Sequence, residues 1–412
     1  MRIIIIGNGA AGNQAAQTIQ DYDPEAEITI LGAESIPFYS ACALPDYLAG
    51  WIKRDQLFLR SSLERNRVEI RLGQAVEDIK PDRQAVSAGG ELLFYDRLII
   101  ASGSRPVLPN IPGTGLPGNF VIKSVYDIDR ILSHNPRRIV VIGSGNIGIE
   151  AAEALASRGC QVSIIEMMPR IMPRLFDEQP AMLIRNILEE NGIEIHTGEK
   201  AREVIGKNKV EGLITDCRRI SCDAVIWAAG VRQNTELARA AGIEIGGLGG
   251  IKVDSQMKTS HPAIYACGDC IETSDLLTGK PALCLLWSCA KAQAEVAARN
   301  CLGEEIVYPG ALKLIAEEAY GKPCMAAGLL EEELDRTGLK IIEKETENTY
   351  HRILIKNERI MGIQAVGSME AMGPLLYFMK KMIAPSEIKR IINSPALLKN
   401  MPWMLAIDKY WQ

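Results

Sequence analysis

Residues 1–12, MRIIIIGNGAAG, decide the fold. Ile3–Ile6 is a continuous apolar run that suits a strand buried on both faces. Gly7, Gly9 and Gly12 follow at once in G-x-G-x-x-G spacing. The first glycine makes a tight turn and the second lets a pyrophosphate approach the backbone. The third lets the next helix pack closely on the strand. Asn13–Gln20 reads as that helix, its free N–H groups and positive dipole end turned to the phosphates. Strand, glycine turn and helix together predict a dinucleotide site.

The unit then repeats. Arg138–Gly148, RIVVIGSGNIG, carries the same spacing at Gly143, Gly145 and Gly148. A helix over Ile149–Arg158 leads to a strand, Gln161–Glu166. Glu166 stands about twenty residues past the glycines, where ribose recognition needs a carboxylate. It would repel a 2′-phosphate, so NAD(H) is expected over NADP(H). In the first unit the second strand, Glu27–Leu31, runs into Gly32, and the first carboxylate is Glu34. Glu34 is the ribose candidate there, beside the plainer reading of a solvated loop charge. Two βαβ fingerprints predict an α/β chain that holds two dinucleotides.

Between the fingerprints, Val68–Arg71, Gln74–Ile79, Ala85–Ser87 and Tyr95–Gly103 read as strands, and Ser104–Gly113 as a Pro- and Gly-rich domain crossover. Ala224–Gly230 and Ile264–Asp269 read as further strands ending in small residues. From Leu302 the character changes. Strand-like Arg352–Ile355 and Met361–Val366 alternate with the acidic Glu331–Asp335 and a helical region holding Lys380 and Lys381. The apolar tail Ser394–Gln412, with Trp403 and Trp411, reads as core or as a partner surface.

The 412 residues suit two or three domains with a large core. A net charge of −5 gives no reason to expect nucleic acid or an acidic membrane as partner. No apolar run approaches the ~18 residues that a membrane span needs. The first strand is expected to begin at once, with Ile3, which leaves no room for a signal peptide. Ten cysteines without a secretion signal then predict reduced thiols in a cytoplasmic protein.

Among those cysteines, Cys42 lies in FYSACALPDYLAG (38–50). Pro45 suits the first turn of a helix and Gly50 its end, so Cys42 falls at or just before the N-terminus, where the dipole favours the thiolate. No second cysteine follows at dithiol spacing. A redox-active Cys42 would cycle through a sulfenic acid, a mixed disulfide or a persulfide; otherwise it is a buried, inert thiol. Cys267-x-x-Cys270 has no second pair to complete a zinc or iron–sulfur set. Cys284 and Cys289 flank Trp287 in an apolar stretch and read as packing. His134, His196, His261 and His351 lie at no metal-binding spacing, and no metal is expected.

GNGAAG (7–12), ASGSRP (101–106), VVIGSGNIGIEAAEAL (140–155), AAG (228–230) and IYACGDC (264–270) together resemble the pyridine nucleotide-disulfide oxidoreductases, across roughly the first 300 residues. The resemblance implies two nested Rossmann-like, three-layer ββα nucleotide-binding domains plus a C-terminal α+β interface domain. The implied divisions are 1–108 with 233–302 for FAD, 109–232 for NAD, and 303–412 for an interface that usually makes a homodimer. It places FAD on Gly7, Gly9, Ala10, Ala11, Gly12, Glu34, Ala101, Ser102, Gly103, Ser104, Lys123, Gly268 and Asp269. Lys123 falls where relatives often set an arginine against the FAD phosphates. NADH is placed on Gly143, Gly145, Asn146, Ile147, Gly148, Glu150, Glu166 and Gly230, with Glu150 on the nicotinamide side.

Cys42, Tyr47 and Gly50 keep the spacing of the single-cysteine branch: coenzyme A-disulfide reductase, NADH oxidase and NADH peroxidase. That branch implies a catalytic Cys42. Three departures stand out. Ala10 occupies the place of the oxidases' and peroxidases' histidine, and Asn146 that of an aromatic gate over the nicotinamide. The C-terminal region is more similar to NADH:rubredoxin oxidoreductases and nitrite reductase flavoproteins, which share the slipped Gly32-x-Glu34 ending. The implied function is an FAD-dependent NADH:acceptor oxidoreductase. Its electrons pass either to a small disulfide or persulfide through Cys42, or to a redox carrier protein of rubredoxin or ferredoxin type with Cys42 structural. A low-turnover redox-sensing or structural flavoprotein is the third alternative.

Overall fold

Ile3–Ile6, each at most 5% exposed, form the centre of the first sheet. The computed structural model describes residues 1–59, 67–347 and 349–392. Arg2–Ile6 pairs in parallel with Glu27–Gly32 on one side and Arg97–Ile100 on the other; Val68–Leu72 and Ile264–Ala266 form the edges. An all-parallel sheet must be covered on both faces. Helix α1 (Ala10–Tyr22) buries Ala11, Ala15, Ala16 and Ile19 in its core. A three-stranded antiparallel sheet (Val76–Lys80, Ala85–Ala88, Glu91–Phe94) adds Ile79, Val86 and Ala88.

After the short helix α2 (Leu44–Ala49), the second unit repeats this plan. Its parallel sheet runs Glu194–Thr197, Gln161–Glu166, Arg138–Ile142, Ala224–Trp227, Asn119–Val121. Helices α3 (Val125–His134), α4 (Asn146–Ser157) and α5 (Glu178–Glu190) accompany it. Its antiparallel layer (Ala201–Ile205, Gly212–Thr215, Arg219–Ser221) packs Val204 and Leu213 on Val140, Val225 and Trp227. The chain leaves the first unit along Ser104–Pro106 and returns along Val231–Gln233, and these two segments pair with each other in antiparallel. The short α6 (Glu236–Ala240) follows, and α7 (Trp287–Cys301) then lies against α1.

A five-stranded antiparallel sheet follows, in the order Leu314–Ala319, Lys322–Gly328, Arg359–Val366, Tyr350–Lys356, Lys340–Glu345. It carries α8 (Met372–Lys381), whose Leu375, Phe378 and Met379 pack on Ile353 and Ile363, and then α9 (Pro385–Ile392). Arg352 ties it to the second unit through Asp177, at the start of α5, while also pairing with Glu331 and Glu343. Trp403 and Trp411 of the apolar tail lie outside the described residues.

Both glycine loops are built by close backbone contact. A β-carbon on Gly12 would lie 1.9 Å from the Gly7 carbonyl oxygen, and one on Gly148 2.1 Å from that of Gly143. Neither backbone oxygen can move without moving its strand. Gly12→Ala and Gly148→Ala should each lower stability by at least ~1–3 kcal/mol, as overpacking does. The urea midpoint would fall at unchanged slope; a wild-type midpoint in both variants would refute the close approach.

Candidate functional site

Helices α1 and α4 start alike. Gly9 and Gly145 are their N-caps, with no side-chain cap and no acid in the first turn. Helix α3, by contrast, is fully capped: Ser124 Oγ accepts from the Asp127 N–H, and the Asp127 carboxylate accepts from the Ser124 N–H. A β-carbon on Gly9 or Gly145 would meet nothing within 4 Å. The loops are therefore closed toward the sheet and open outward, where orphan N–H groups face space. That arrangement fits a pyrophosphate.

The turns predicted at 101–104 and 228–230 back these loops. A β-carbon on Gly7 would lie 2.1 Å from the Ala101 oxygen, and one on Gly143 2.4 Å from the Ala228 oxygen. Ala10, Ala11, Asn146 and Ile147 form the first turns of the two helices. Asn13, which the sequence reading passed over, braces the first loop. Its amide donates to the Asn8 side chain at 2.9 Å and to the Gly9 carbonyl at 3.1 Å.

Three predicted residues from three segments meet beside the first loop. Ser104 Oγ donates to Asp269 Oδ2 at 2.7 Å, and Lys123 Nζ reaches the same oxygen at 3.3 Å and Ser104 Oγ at 3.0 Å. Gly268 holds φ +81°, and its N–H donates to Gln293 Oε1 at 3.0 Å. Gly103 and Gly230 also take positive φ. Ser102 Oγ donates to the Asn234 carbonyl at 2.7 Å, so this turn is held by the returning chain. Glu34 follows the strand end as predicted, and its Oε1 accepts from the Tyr39 hydroxyl at 3.4 Å. Partial burial pushes its carboxyl up. Cys267 and Cys270 are wholly buried, and the Cys270 thiol donates to the Cys267 and Ile100 carbonyls. Among the described residues no group of three His, Cys, Asp or Glu could hold a metal ion.

Beside the second loop, Glu166 is only 7% exposed. Its Oε2 accepts from the Ser144 N–H at 2.9 Å and the Ser144 hydroxyl at 2.7 Å, and Oε1 accepts from the Met168 N–H at 2.8 Å. The carboxylate thus braces the glycine loop itself, a role the ribose reading did not include.

Cys42 sits in the turn Ala41–Ala43 just ahead of α2, with Gly50 at φ +84° closing that helix as expected. The predicted stabilisation of its thiolate is reversed. The thiol reaches solvent, yet burial, Glu150 and Asp269 push its pKa up. A six-residue helix cannot offset two carboxylates. Tyr47 turns away, its hydroxyl donating to Asp129 at 2.8 Å.

Behind Cys42 lies a group that the sequence reading missed. Ile315 and Ala319 face the core that α4 shares, and strand alternation puts Glu317 between them on that face. There it meets the field of Glu150 and Glu153, one turn apart on α4. Burial, then Glu150 and Glu153, raise Glu317 to about 9. Burial, then Asp46 and Glu153, raise Glu150 to about 7. Burial raises Glu153 to about 7, against a 2.7 Å hydrogen bond from the Tyr320 N–H and with a contribution from Glu318. Among the described residues, no cation is among the charges acting on these three.

The family described as pyridine nucleotide-disulphide oxidoreductase matches residues 1–294. An NADH oxidase of Methanocaldococcus jannaschii is 36% identical over 322 residues, covering 75% of this chain and 71% of that protein. A CoA-dependent NAD(P)H sulfur oxidoreductase of Pyrococcus furiosus is 29% identical over 390 residues, 89% of this chain and 88% of that one. Among solved structures, an NAD-dependent persulfide reductase from A. fulgidus superposes with a TM-score of 0.89 at 28% identity, covering 99% of this chain and 83% of that one.

The carboxyl cluster predicts a pH dependence of stability. The native state of a group raised from 4.5 to about 9 binds more protons than the unfolded chain across that interval. Stability is then full below 4.5 and is lost as pH rises through 9. Wild-type melting temperature should fall over this window, and Glu317→Gln should flatten the fall and melt higher at its alkaline end. Parallel curves for the two proteins would refute a protonated Glu317.

Proposed function

The chain belongs to the pyridine nucleotide-disulphide oxidoreductase family, and from that premise we propose that it passes electrons from NADH to a small disulfide or persulfide through Cys42. It is an NAD(P)H-dependent flavoprotein oxidoreductase that uses FAD. Bound FAD supplies the redox chemistry, taking a hydride from the nicotinamide and passing an electron pair onward.

The Gly7–Gly12 loop and the start of α1 would hold the FAD pyrophosphate, with Glu34 at the ribose and the turn 101–104, Gly268, Asp269 and Lys123 around the rest. Gly143, Gly145, Asn146, Ile147, Gly148 and Gly230 would hold NADH. Glu166 favours NADH because its buried charge opposes a 2′-phosphate. Glu150, in the second turn of α4, would face the nicotinamide and hold a proton at its carboxyl oxygen near neutral pH. These assignments divide the chain into 1–108 with 233–302 for FAD, 109–232 for NADH, and 303–412 as the interface domain of a homodimer. The exposed Ile341, Tyr377 and Met382 suit that last role. No helix among the described residues is long and apolar enough to cross a membrane.

The observation that carries the acceptor reading is the position of Cys42 in a solvent-reaching turn just ahead of α2, in the field of Glu150 and Asp269. Relatives named for sulfur and persulfide reduction span most of the chain. With Cys42 held as a mixed disulfide, one turnover is balanced: Cys42–S–S–R, NADH and a proton give the Cys42 thiol, RSH and NAD⁺. The second reading is a redox carrier protein as acceptor with Cys42 structural. It is favoured by the raised thiol, because a protonated sulfur is a poor nucleophile.

Anaerobic NADH titration of the FAD-loaded protein separates the two. Wild type should consume one electron pair more than Cys42→Ser, whereas equal titres would move the search to carrier proteins. Failure of NADH to reduce the flavin rapidly would instead indicate a low-turnover sensor. Glu166→Gln should lower the NADH-over-NADPH ratio of kcat/KM about tenfold, some 1.4 kcal/mol. An unchanged ratio beside a lower melting temperature would leave Glu166 as a brace alone. Gly9→Ala should keep the apoprotein's stability while losing FAD, since its β-carbon would point only into the open side of the loop.

A further inference from the structure

Cys284 lies three residues ahead of α7, and Cys289 lies in its first turn. Their sulfurs lie 2.9 Å apart, with the Cys284 thiol donating to Cys289. That is within about 1 Å of the length of a disulfide bond. Both thiols are free. The Cys267-x-x-Cys270 motif, which looks more like a dithiol in sequence, instead directs its Cys270 thiol to backbone carbonyls.

We propose that Cys284 and Cys289 form a reversible dithiol–disulfide couple, a redox site separate from Cys42, that low-molecular-weight disulfides oxidise. The two sulfurs have different surroundings, which sets their roles. Cys289 is half-buried in the first turn of a fifteen-residue helix, where the N-terminus favours a thiolate. Cys284 is 8% exposed. The hydrogen bond from Cys284 lowers the Cys289 thiol, with help from the Tyr308 hydroxyl, a backbone hydrogen bond at Leu312 and Lys380, against burial. The same bond, burial, and the charges of Asp269 and Asp275 raise Cys284. Cys289 is the attacking sulfur and Cys284 the resolving one.

The exchange balances in two steps. The Cys289 thiolate attacks one sulfur of RSSR, forming Cys289–S–S–R and releasing RS⁻. Cys284 loses its proton and attacks Cys289 Sγ, closing the Cys284–Cys289 bond and releasing the second RS⁻. Two thiols are oxidised, one external disulfide is reduced to two RSH, and a small dithiol reverses the sequence. The bond would close the turn that holds Trp287. Trp287 stacks on Phe38, four residues before Cys42, at 5.8 Å between ring centroids and 13° between planes. That stack joins the segment of the couple to the segment that carries Cys42.

The test uses the FAD-loaded protein, treated with oxidised glutathione, quenched with iodoacetamide and read by peptide mass spectrometry across residues 281–291. Cys284 and Cys289 should lose alkylation together, the peptide should carry an internal disulfide, and dithiothreitol should restore both sites. Cys42→Ser should give the same result, which separates this couple from the Cys42 reading. Cys284→Ser should stall with glutathione on Cys289. Continued alkylation of both residues in native wild type, a persistent glutathione adduct there, or a disulfide formed only after denaturation would overturn the proposal.

Discussion

The contact between the third glycine of each loop and the carbonyl of the first is the constraint on which the rest depends. The helix must start almost on top of the strand end, with no room for one carbon atom between Gly12 and Gly7 or between Gly148 and Gly143. Gly7 and Gly143 take φ of +117° and +100° to achieve it, and the Ala101 and Ala228 carbonyls close in from behind. A third strand end is thereby fixed beside each turn. The outward side of the loop is left with N–H groups that no side chain satisfies, and the interior packing that closes one side creates the anion site on the other.

The two loops then diverge in their surroundings. At the second, the polar support is local, since Glu166 belongs to the neighbouring strand and grips Ser144 inside the loop. At the first, the support is assembled from a distance. Asp269 comes from the returning chain, Ser104 from the crossover strand, and Lys123 from the second unit just ahead of the α3 cap. An ion pair this exposed adds little stability, ~0–1 kcal/mol. Its value is positional, because it fastens the second unit's cation to the first unit's edge. The antiparallel pairing of Ser104–Pro106 with Val231–Gln233 fixes that reach.

This difference explains what could be read from the chain. Both glycine loops were legible, as were the strands Gln161–Glu166 and Glu27–Leu31 and the cap at Gly50, while the resemblance named Ser104, Lys123 and Asp269 without their mutual contact. Their signals are local spacing or resemblance. The strand Glu91–Phe94 went unread because Leu92, Leu93 and Phe94 offer no alternation. Glu317 was missed for a related reason. Within LIAEEA only the alternation of Ile315 and Ala319 marks it as core-facing, and its effect depends on a helix some 160 positions earlier. Cys284 and Cys289 fit no motif, whereas Cys267-x-x-Cys270 fits one and does not form it. Spacing along the chain predicts sulfur chemistry poorly when helix starts and turns decide which sulfurs meet.

The carboxyl cluster also bears on how the Cys42 side of the site handles charge. Most buried carboxylates are satisfied by a cation or by several N–H donors, as Asp177 and Glu166 are here. Among the described residues, Glu150, Glu153 and Glu317 have one backbone N–H and no cation acting among them. Such a group lowers its energy by keeping protons, which is why all three are pushed toward neutral or alkaline pKa values. Of these three, Glu150 acts on Cys42, and when ionised it helps Asp269 to hold the thiol protonated. A proton lost from Glu150 therefore raises the cost of forming the Cys42 thiolate, and a proton gained lowers it. Sulfur and carboxyl are coupled, so each titrates according to the state of the other.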